Sequence, residues 1–276
     1  MAARNLRREK RRPRAENPPS KRRYHKPDIS RPKGEKVTET QTRGQQAQEE
    51  KLPAQYINYV FFELDPLWRR LPEEEREQGR REFLEAAEEH SGEMLLRSFS
   101  LMGLRADADF MLWRIGYDLD AFETMTGALL KTGLGKYLRV SYSYFALSRR
   151  SIYVGEHTPG FENRTYIVPG EGEYLFVYPF VKNREWYRLP IEERQRMMNE
   201  HMQIGRKHYP VKNNTGYCFG IDDYEFILSF EAESPEKFQD LMIELRESEA
   251  SSYTELDTPI FTCRRRTLPK ILQTLG

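Results

Sequence analysis

The sequence predicts an α+β fold in which two ferredoxin-like repeats form a dimeric α/β barrel within one chain. After residue 54, short aromatic and β-branched runs alternate with helical patterns in the order β-α-β-β-α-β, and that order occurs twice. The segment WRRLPEEER at Trp68–Arg76 also resembles WYRLPIEER at Trp186–Arg194, which indicates a duplication. Two such repeats can bury one face of each sheet against the other.

The elements of the first half follow from local signals. Proline and glutamates after Leu71 are typical of a helix start, and aromatic and β-branched residues favour strands. The predicted elements are a strand over 56–62, a helix over 71–90, strands over 94–102 and 110–115, a helix over 119–130 and a strand over 138–147.

The second half repeats this order, and Phe238 corresponds to Phe122 in the matching helix. Its predicted elements are a strand over 174–181, a helix over 189–208, strands over 211–219 and 225–230, a helix over 235–250 and a strand over 259–263. We therefore expect a first lobe over 51–150, a connection over 151–172 and a second, ligand-binding lobe over 173–276.

Charge separates the first 50 residues from the rest of this 276-residue chain. They hold 15 Lys and Arg against 7 Asp and Glu, with almost no large apolar side chains, which predicts a disordered basic arm. The arm is interpreted either as a solvated tail or as a docking segment for a partner protein, RNA or membrane. Tyr24 is the one Phe, Tyr or Trp among its charges, and this scarcity of aromatic residues makes nucleic acid an unfavoured partner.

Composition also excludes several classes of protein. We expect no membrane span, because no apolar run of about 18 residues exists, and no secretory leader. Two cysteines cannot build a disulfide framework or a four-cysteine metal site, so a cytoplasmic protein is expected. Dinucleotide, P-loop, zinc-protease and nucleophile-elbow motifs are missing from the sequence.

His201 is the most informative histidine because Met197, Met198, Ile204 and Gly205 share its helical face. One interpretation is a core histidine whose polar atoms are satisfied. The other is a single imidazole ligand facing a flat apolar group, with Gly205 allowing close approach. One histidine without further ligand residues is typical of haem rather than of zinc.

The strand YLFVYPFVK is the second cluster of interest. Period-two alternation places Tyr174, Phe176, Tyr178, Phe180 and Lys182 on one face. That face is interpreted either as aromatic core packing with a solvent-facing lysine, or as the wall of a site for an anionic ligand, with Lys182 reaching a carboxylate.

Four segments together resemble the chlorite dismutase superfamily, closest to its coprohaem decarboxylases. They are VYPFVKNREWYRLPIEERQRMMNEH with the following GR, GIDDYEFILSFE, LRESEASSY and DTPIFTC. The resemblance covers about residues 55–268, most strongly 174–264. It implies the paired ferredoxin-like barrel, usually as a homopentamer, with haem b or iron-coproporphyrin III as the bound iron porphyrin and hydrogen peroxide as co-substrate.

The resemblance also implies roles for individual residues. His201 matches the iron ligand, and Glu249 matches the carboxylate that hydrogen-bonds its imidazole, which would raise the basicity of the ring. Tyr178 matches the redox-active tyrosine that abstracts hydrogen from a propionate. The positions that match neighbours or binders of the propionates are Lys182, Trp186, Arg164, Arg246 and Ser251.

Two positions depart from the family pattern. Asn213 stands where chlorite dismutases carry a distal arginine, which disfavours chlorite decomposition and leaves Asn213 as a distal amide. Tyr166 stands where one branch of decarboxylases has a distal histidine. The implied reaction is oxidative decarboxylation of iron-coproporphyrin III to haem b. The alternatives are a haem peroxidase, a chlorite-splitting enzyme, or a non-catalytic porphyrin carrier that docks on another protein through its basic arm.

Overall fold

The computed structural model describes residues 53–153 and 165–276. The predicted basic arm, Arg164 and part of the predicted connection lie outside these residues. The described residues form one compact unit. The strands are β1 (Tyr56–Leu64), β2 (Leu95–Ser100), β3 (Phe110–Gly116), β4 (Leu138–Leu147), β5 (Tyr174–Lys182), β6 (Lys212–Tyr217), β7 (Phe226–Ala232), β8 (Thr254–Leu256) and β9 (Phe261–Arg265). The α-helices are α1 (Glu73–Glu89), α2 (Leu119–Lys131), α3 (Arg184–Arg188), α4 (Ile191–Lys207), α5 (Pro235–Glu247) and α6 (Leu268–Thr274).

The strand pairings run in the order β7-β6-β4-β1-β3-β2-β9-β5, and β5 pairs back onto β7. Short β8 pairs with the end of β5, where the register shifts between Val181 and Lys182. Every pairing is antiparallel. The predicted combination of an antiparallel sheet with helices in one chain is confirmed.

Many large buried side chains lie where the strands of the two halves face one another. Tyr59 stacks on Trp113 with ring centroids 5.5 Å apart, and its hydroxyl is hydrogen-bonded to Ser229 Oγ at 2.8 Å. The pair joins the first half to β7 through a buried polar contact. Other members of this cluster are Ile57, Phe61, Leu175, Val177, Ile227 and Phe261. Burial of each large apolar side chain contributes roughly 1.5–3 kcal/mol.

The opposite face of each half is covered by helices. Residues of α1, α2 and α6 pack on the first half. In the second half, Phe176 of β5 stacks on Phe238 of α5 at 4.0 Å, and Ile204 of α4 joins the same cluster. Because side chains alternate along a strand, Tyr178 lies on this helix-covered face with Phe176. The strand therefore presents the predicted aromatic row to α4 and α5.

Several helix boundaries differ from prediction, for identifiable reasons. The helix expected from Leu189 begins at Ile191, since Pro190 is its N-cap. The helix expected to reach Ala250 ends at Glu247, where the Ser248 hydroxyl donates to Leu245 O at 2.7 Å, and a 3-10 turn follows over Glu249–Tyr253. The sequence patterns did not predict α3, α6 or β8. Within residues 53–153 and 165–276, every helix is too short or too polar to cross a membrane.

Candidate functional site

His201 lies on the buried side of α4, between Met197 one turn before it and Ile204 one turn after it. Acidic residues in the first turn and basic residues in the last turn stabilise this helix through its dipole. The His201 Nδ1 atom is buried, and within the described part of the chain it has no hydrogen-bond partner. An unsatisfied buried nitrogen costs about 1–3 kcal/mol, so its retention calls for an explanation.

The His201 imidazole is neutral at physiological pH. Burial, followed by the positive charge of Lys182, lowers the pKa of His201 to about 4, while the Glu200 carboxylate acts in the opposite direction. A neutral imidazole has a free lone pair and can bind a metal ion without first losing a proton. The influence of Lys182 on this pKa places the two predicted residues in the same region of the structure.

Lys182 is buried at the end of β5, where the shift of register turns its side chain towards α3. Its Nζ atom donates to Ala250 O and lies 4.7 Å from the ring centroid of Trp186. Burial lowers the pKa of Lys182 to about 8, although the Glu225 carboxylate partly opposes this. The ammonium therefore sits in an apolar setting where an incoming carboxylate would be a strong partner.

Trp186 is 2% exposed, and its ring packs against the Lys182 ammonium. It lies on α3, whose start is fixed by Asn183 Oδ1, which accepts from the Trp186 amide at 3.1 Å. Tyr253 and Tyr153 flank its ring at centroid distances of 5.4 and 6.1 Å. The structure thus places Trp186 beside Lys182, as the sequence predicts.

Tyr178 points from the middle of β5 towards α5. Its ring stacks parallel to Phe230 at 6.0 Å, and its hydroxyl donates to the Met242 sulfur at 3.8 Å. Burial, followed by the charge of Asp257, raises the pKa of Tyr178 above its usual value, while Arg246 lowers it. The phenol is consequently neutral and has only a weak hydrogen-bond acceptor.

The predicted anion-binding residues on the α5 side have other partners in this structure. Arg246 is exposed and forms an ion pair with Asp257. The Ser251 hydroxyl donates to Arg246 O and Ser248 O, so it terminates α5. Arg246 nevertheless lies in the region of Tyr178, because its charge and that of Asp257 act on the phenol.

Glu249 is not paired with His201. Its carboxylate forms an ion pair with Arg196 at 2.9 Å, and its backbone amide donates to Glu200 Oε2 at 3.2 Å. The expected imidazole–carboxylate bond is therefore missing from the described contacts. Glu249 follows α5 directly, and its contacts with Arg196 and Glu200 connect it to the helix that carries His201.

Asn213 is exposed on β6 and faces the same side of the sheet as Tyr178. The register pairs Asn213 with Phe230, and Phe230 with Phe176, so all three side chains project to one face. Two strand spacings, roughly 10 Å, separate the strands of Asn213 and Tyr178. Tyr166 is half-buried.

Glu225 is a residue of this region that the sequence analysis missed. It is 9% exposed, and its Oε2 accepts from the Lys182 amide at 2.9 Å and from the Tyr187 hydroxyl at 2.5 Å. It therefore fixes the end of β5 and the position of α3. The one available signal was an acidic residue at the start of an apolar strand after the GIDD turn.

These residues suit an iron porphyrin better than a protein-caged metal ion. The described residues contain no group of three or more His, Cys, Asp or Glu able to hold a metal ion. A single neutral imidazole remains, as in haem proteins with one axial histidine. A Cβ at Gly205, on the same face of α4, would meet nothing within 4 Å, so the helix leaves space beside His201.

Comparison with known proteins agrees with this description. The family model described as chlorite dismutase matches residues 74–266. The coproheme decarboxylase of Mycolicibacterium smegmatis is 37% identical over 191 residues, covering 68% of this chain and 80% of that protein. The coproheme decarboxylase of Staphylococcus carnosus is 29% identical over 223 residues, covering 74% and 88%.

Solved structures show the same similarity. Chlorite dismutase from Candidatus Nitrospira defluvii in complex with imidazole superposes with a TM-score of 0.73 at 27% identity, covering 80% of this chain and 94% of that one. A haem-binding protein from Thermus thermophilus shares the fold with a TM-score of 0.71 at 23% identity, covering 81% and 95%. The chain described here belongs to the chlorite dismutase family.

Proposed function

We propose that this protein is a peroxide-dependent coprohaem decarboxylase, which converts iron-coproporphyrin III into haem b. The observation that carries the proposal is the buried, neutral His201 imidazole, whose Nδ1 atom has no hydrogen-bond partner among the described residues and whose pKa responds to the charge of Lys182. The two relatives named coproheme decarboxylase support the same activity. The porphyrin is both substrate and source of the redox chemistry.

The proposed reaction balances with one peroxide for each propionate. A propionate side chain, one H2O2 and one proton give a vinyl group, CO2 and two molecules of water. The β-carbon loses hydrogen and the carboxylate leaves as CO2, while the two electrons released reduce the peroxide. Two rounds leave two vinyl groups and two propionates, which is the substitution of haem b.

His201 would hold the iron through a ring nitrogen, since its low pKa keeps the imidazole unprotonated. When bound, the iron porphyrin supplies the peroxide chemistry that oxidises a nearby phenol. Tyr178 would be that phenol and would take hydrogen from the propionate β-carbon. The neutral phenol can transfer a hydrogen atom. Its hydrogen-bond partner, the Met242 sulfur, is too weak a base to take the hydroxyl proton.

Lys182 would neutralise the carboxylate of the reacting propionate. Its buried position makes an anionic partner favourable, and Trp186 beneath it excludes water from one side. Arg246 and Ser251, with Arg164 outside the described residues, would bind further carboxylates. For Arg246 this requires exchange of Asp257 for the substrate.

Glu249 is proposed as a positioning residue for His201. In the loaded protein its carboxylate would exchange Arg196 for the unpartnered Nδ1 atom, which would fix the ring and raise its basicity. The exposed Arg196 pair is worth little, typically below about 1 kcal/mol, so this exchange costs little.

Asn213 supports decarboxylation over chlorite decomposition. It is exposed on the Tyr178 side of the sheet but carries no charge, so it offers no guanidinium to hold an oxyanion. Its amide can donate a hydrogen bond to incoming peroxide. Tyr166 is the other proposed distal group.

At the level of assembly, we propose that each half is a ferredoxin-like repeat and that the two form one barrel. The closed circuit of pairings supports this, as does the strand order β4-β1-β3-β2 of the first half, which is repeated as β9-β5-β7-β6 in the second half. We further propose a homo-oligomer, a pentamer by family resemblance. The cytoplasm is the proposed location, and the basic arm the proposed site for a protein partner.

The test is to mix the purified full chain with iron-coproporphyrin III and titrate hydrogen peroxide, following products by mass spectrometry. We expect successive products that have lost one and then two propionates as vinyl groups. Tyr178→Phe should bind porphyrin normally but lose turnover by at least about 100-fold, because its phenol supplies the hydrogen acceptor.

Tyr174→Phe is the matched control, since Tyr174 lies on the same face of the same strand. It should keep wild-type turnover. If the wild type leaves the porphyrin unchanged, the proposal is contradicted and the porphyrin-carrier alternative remains. Full turnover by Tyr178→Phe would contradict the role of that residue, and rapid oxygen release from chlorite would favour the chlorite dismutase alternative.

A further inference from the structure

A buried arginine lies in the first half of the chain, remote in sequence from the candidate site. Arg114 of β3 is 5% exposed. Its Nε and Nη2 atoms donate to Asn58 Oδ1 at 3.1 and 2.6 Å. Its Nη1 atom donates to Thr126 Oγ1 at 2.8 Å and Phe122 O at 3.3 Å.

None of these acceptors carries a charge, and within the described residues no carboxylate forms an ion pair with Arg114. Burial lowers its pKa to about 10, so the guanidinium remains charged at neutral pH. Four acceptor contacts engage four of its five N–H groups, which leaves one on Nη2. A buried charge without a counter-ion is costly, and a bound anion would offset that cost.

A depression of about 420 Å³ opens to solvent at this position, between α2 and the sheet. Arg114 and Asn58 line it together with the apolar side chains of Leu119, Phe122, Leu130 and Phe145. Glu123, which is exposed, also lines it. A mostly apolar concavity with few polar groups is the usual form of a small-molecule site, and this volume lies in the usual range.

The equivalent position in the second half is entirely apolar. Asn58 pairs with Arg114 across β1 and β3, as Phe176 pairs with Phe230 across β5 and β7. Phe122 and Phe238 are each the fourth residue of the helix that follows. In the second half, Phe176, Phe230 and Phe238 pack together at this place. The first half has Asn58, Arg114 and Phe122 there instead, so packing alone does not require a charged side chain.

Gly127 adds a second, independent observation. It lies inside α2 and lines the depression, and a Cβ there would meet nothing within 4 Å. Glycine inside a helix costs about 1 kcal/mol relative to alanine. Because no neighbour requires a missing side chain at this position, the glycine keeps the depression open rather than relieving a clash.

We propose that this depression binds a small amphipathic carboxylate, with the anionic group on Arg114 and the apolar chain against α2. This inference does not depend on the proposed decarboxylase activity. The probe is octanoate below its micellar concentration, titrated calorimetrically into the full chain already saturated with haemin. 1-Octanol and acetate serve as neutral and chain-free comparisons.

Octanoate should bind at one site, at least about tenfold more tightly than 1-octanol, since charged hydrogen bonds exceed neutral ones. Acetate should bind more weakly still. Gly127→Leu should reduce octanoate affinity at least about tenfold while retaining the fold, because its side chain enters open space and leucine favours helix. Glu123→Gln should tighten binding about threefold by removing a like charge at the rim.

Equal binding of octanoate and 1-octanol, or unchanged octanoate affinity in Gly127→Leu, would overturn the proposal. Loss of octanoate binding only when haemin is added would assign the probe to the candidate haem site and overturn it too. If octanoate fails to bind while Gly127→Leu alters the oligomeric state in light scattering, the depression is an interface between copies and the proposal is wrong.

Discussion

Replacing Lys182 with methionine should stabilise the empty protein near pH 7 while damaging recognition of the substrate. Lys182→Met keeps the length of the apolar stem and removes the buried ammonium. This ammonium contacts one backbone carbonyl and the rings of Trp186 and Phe180, and no carboxylate of the described residues forms an ion pair with it. Without a ligand, the buried charge of Lys182 therefore lowers the stability of the folded protein.

The magnitude follows from the pKa. Burial lowers the pKa of Lys182 from 10.5 to about 8, and each unit corresponds to about 1.4 kcal/mol. Keeping the charge at pH 7 therefore costs about 3 kcal/mol. The variant also loses the hydrogen bond to Ala250 O, which lowers its stability by about 1 kcal/mol, and the contact with Trp186, which lowers it by up to about 1 kcal/mol. Lys182→Met should be more stable than wild type by about 1–2 kcal/mol.

The pH dependence distinguishes this explanation from simple repacking. The folded-state pKa lies below the unfolded-state value, so between about pH 8 and 10.5 the unfolded chain binds more protons. Wild-type stability from this group is therefore lowest below pH 8 and rises with pH through that window. The advantage of Lys182→Met should shrink as wild type recovers.

Urea unfolding of both proteins near pH 7 and near pH 9.5 measures this difference. The exposed Lys270→Met is the control and should change stability by less than about 0.5 kcal/mol at either pH. A Lys182→Met variant less stable than wild type at pH 7, or a stability difference independent of pH, would refute the reasoning. The same variant should bind iron-coproporphyrin III at least about tenfold more weakly.

Two further variants test the packing around the site and its scaffold. Gly79→Ala should lower the free energy of unfolding by about 1–3 kcal/mol, because its Cβ would lie 2.7 Å from Leu134 N and 2.8 Å from the Trp68 ring. The control is Gly127→Ala, whose Cβ would meet nothing within 4 Å. It should be neutral or stabilising in the same urea titration. Tyr187→Phe should destabilise the protein by about 1–3 kcal/mol, since it removes a donor from the buried Glu225 carboxylate. Tyr117 is exposed, so Tyr117→Phe should change the stability little. Equal effects of the two substitutions would contradict the role given to Glu225.

Strands and long helices were predictable because each carries a periodic signal over many residues. The duplicated WRRLPEEER and WYRLPIEER segments lead into α1 and α4 as expected, and each helix begins at the sixth residue of its segment. By contrast, α6 spans seven residues, too few for a periodic pattern, and it forms by packing Ile271 and Leu272 onto the first half. Its end is held by the Trp68 indole, which donates to Gly276 O at 2.7 Å.

The candidate site was predictable in its residue types and less so in its contacts. The structure places Lys182 beside Trp186, and the charge of Lys182 acts on His201. The partner of Glu249 was not predictable, because Arg196 competes for its carboxylate and the sequence cannot rank Arg196 against His201, five residues later on the same helix. Glu225 was missed because an isolated acidic residue reveals its partners only when β5, β7 and α3 converge.

The central claim is that iron lies on the imidazole of residue 201. Electron paramagnetic resonance of the full chain loaded with iron-coproporphyrin III, with 15N-labelled histidine, tests it directly. We expect nitrogen hyperfine coupling from one histidine in wild type and in His208→Gln, whose ring is paired with Glu244. That coupling should disappear in His201→Leu. Coupling that persists in His201→Leu, or is lost in His208→Gln alone, would contradict the account.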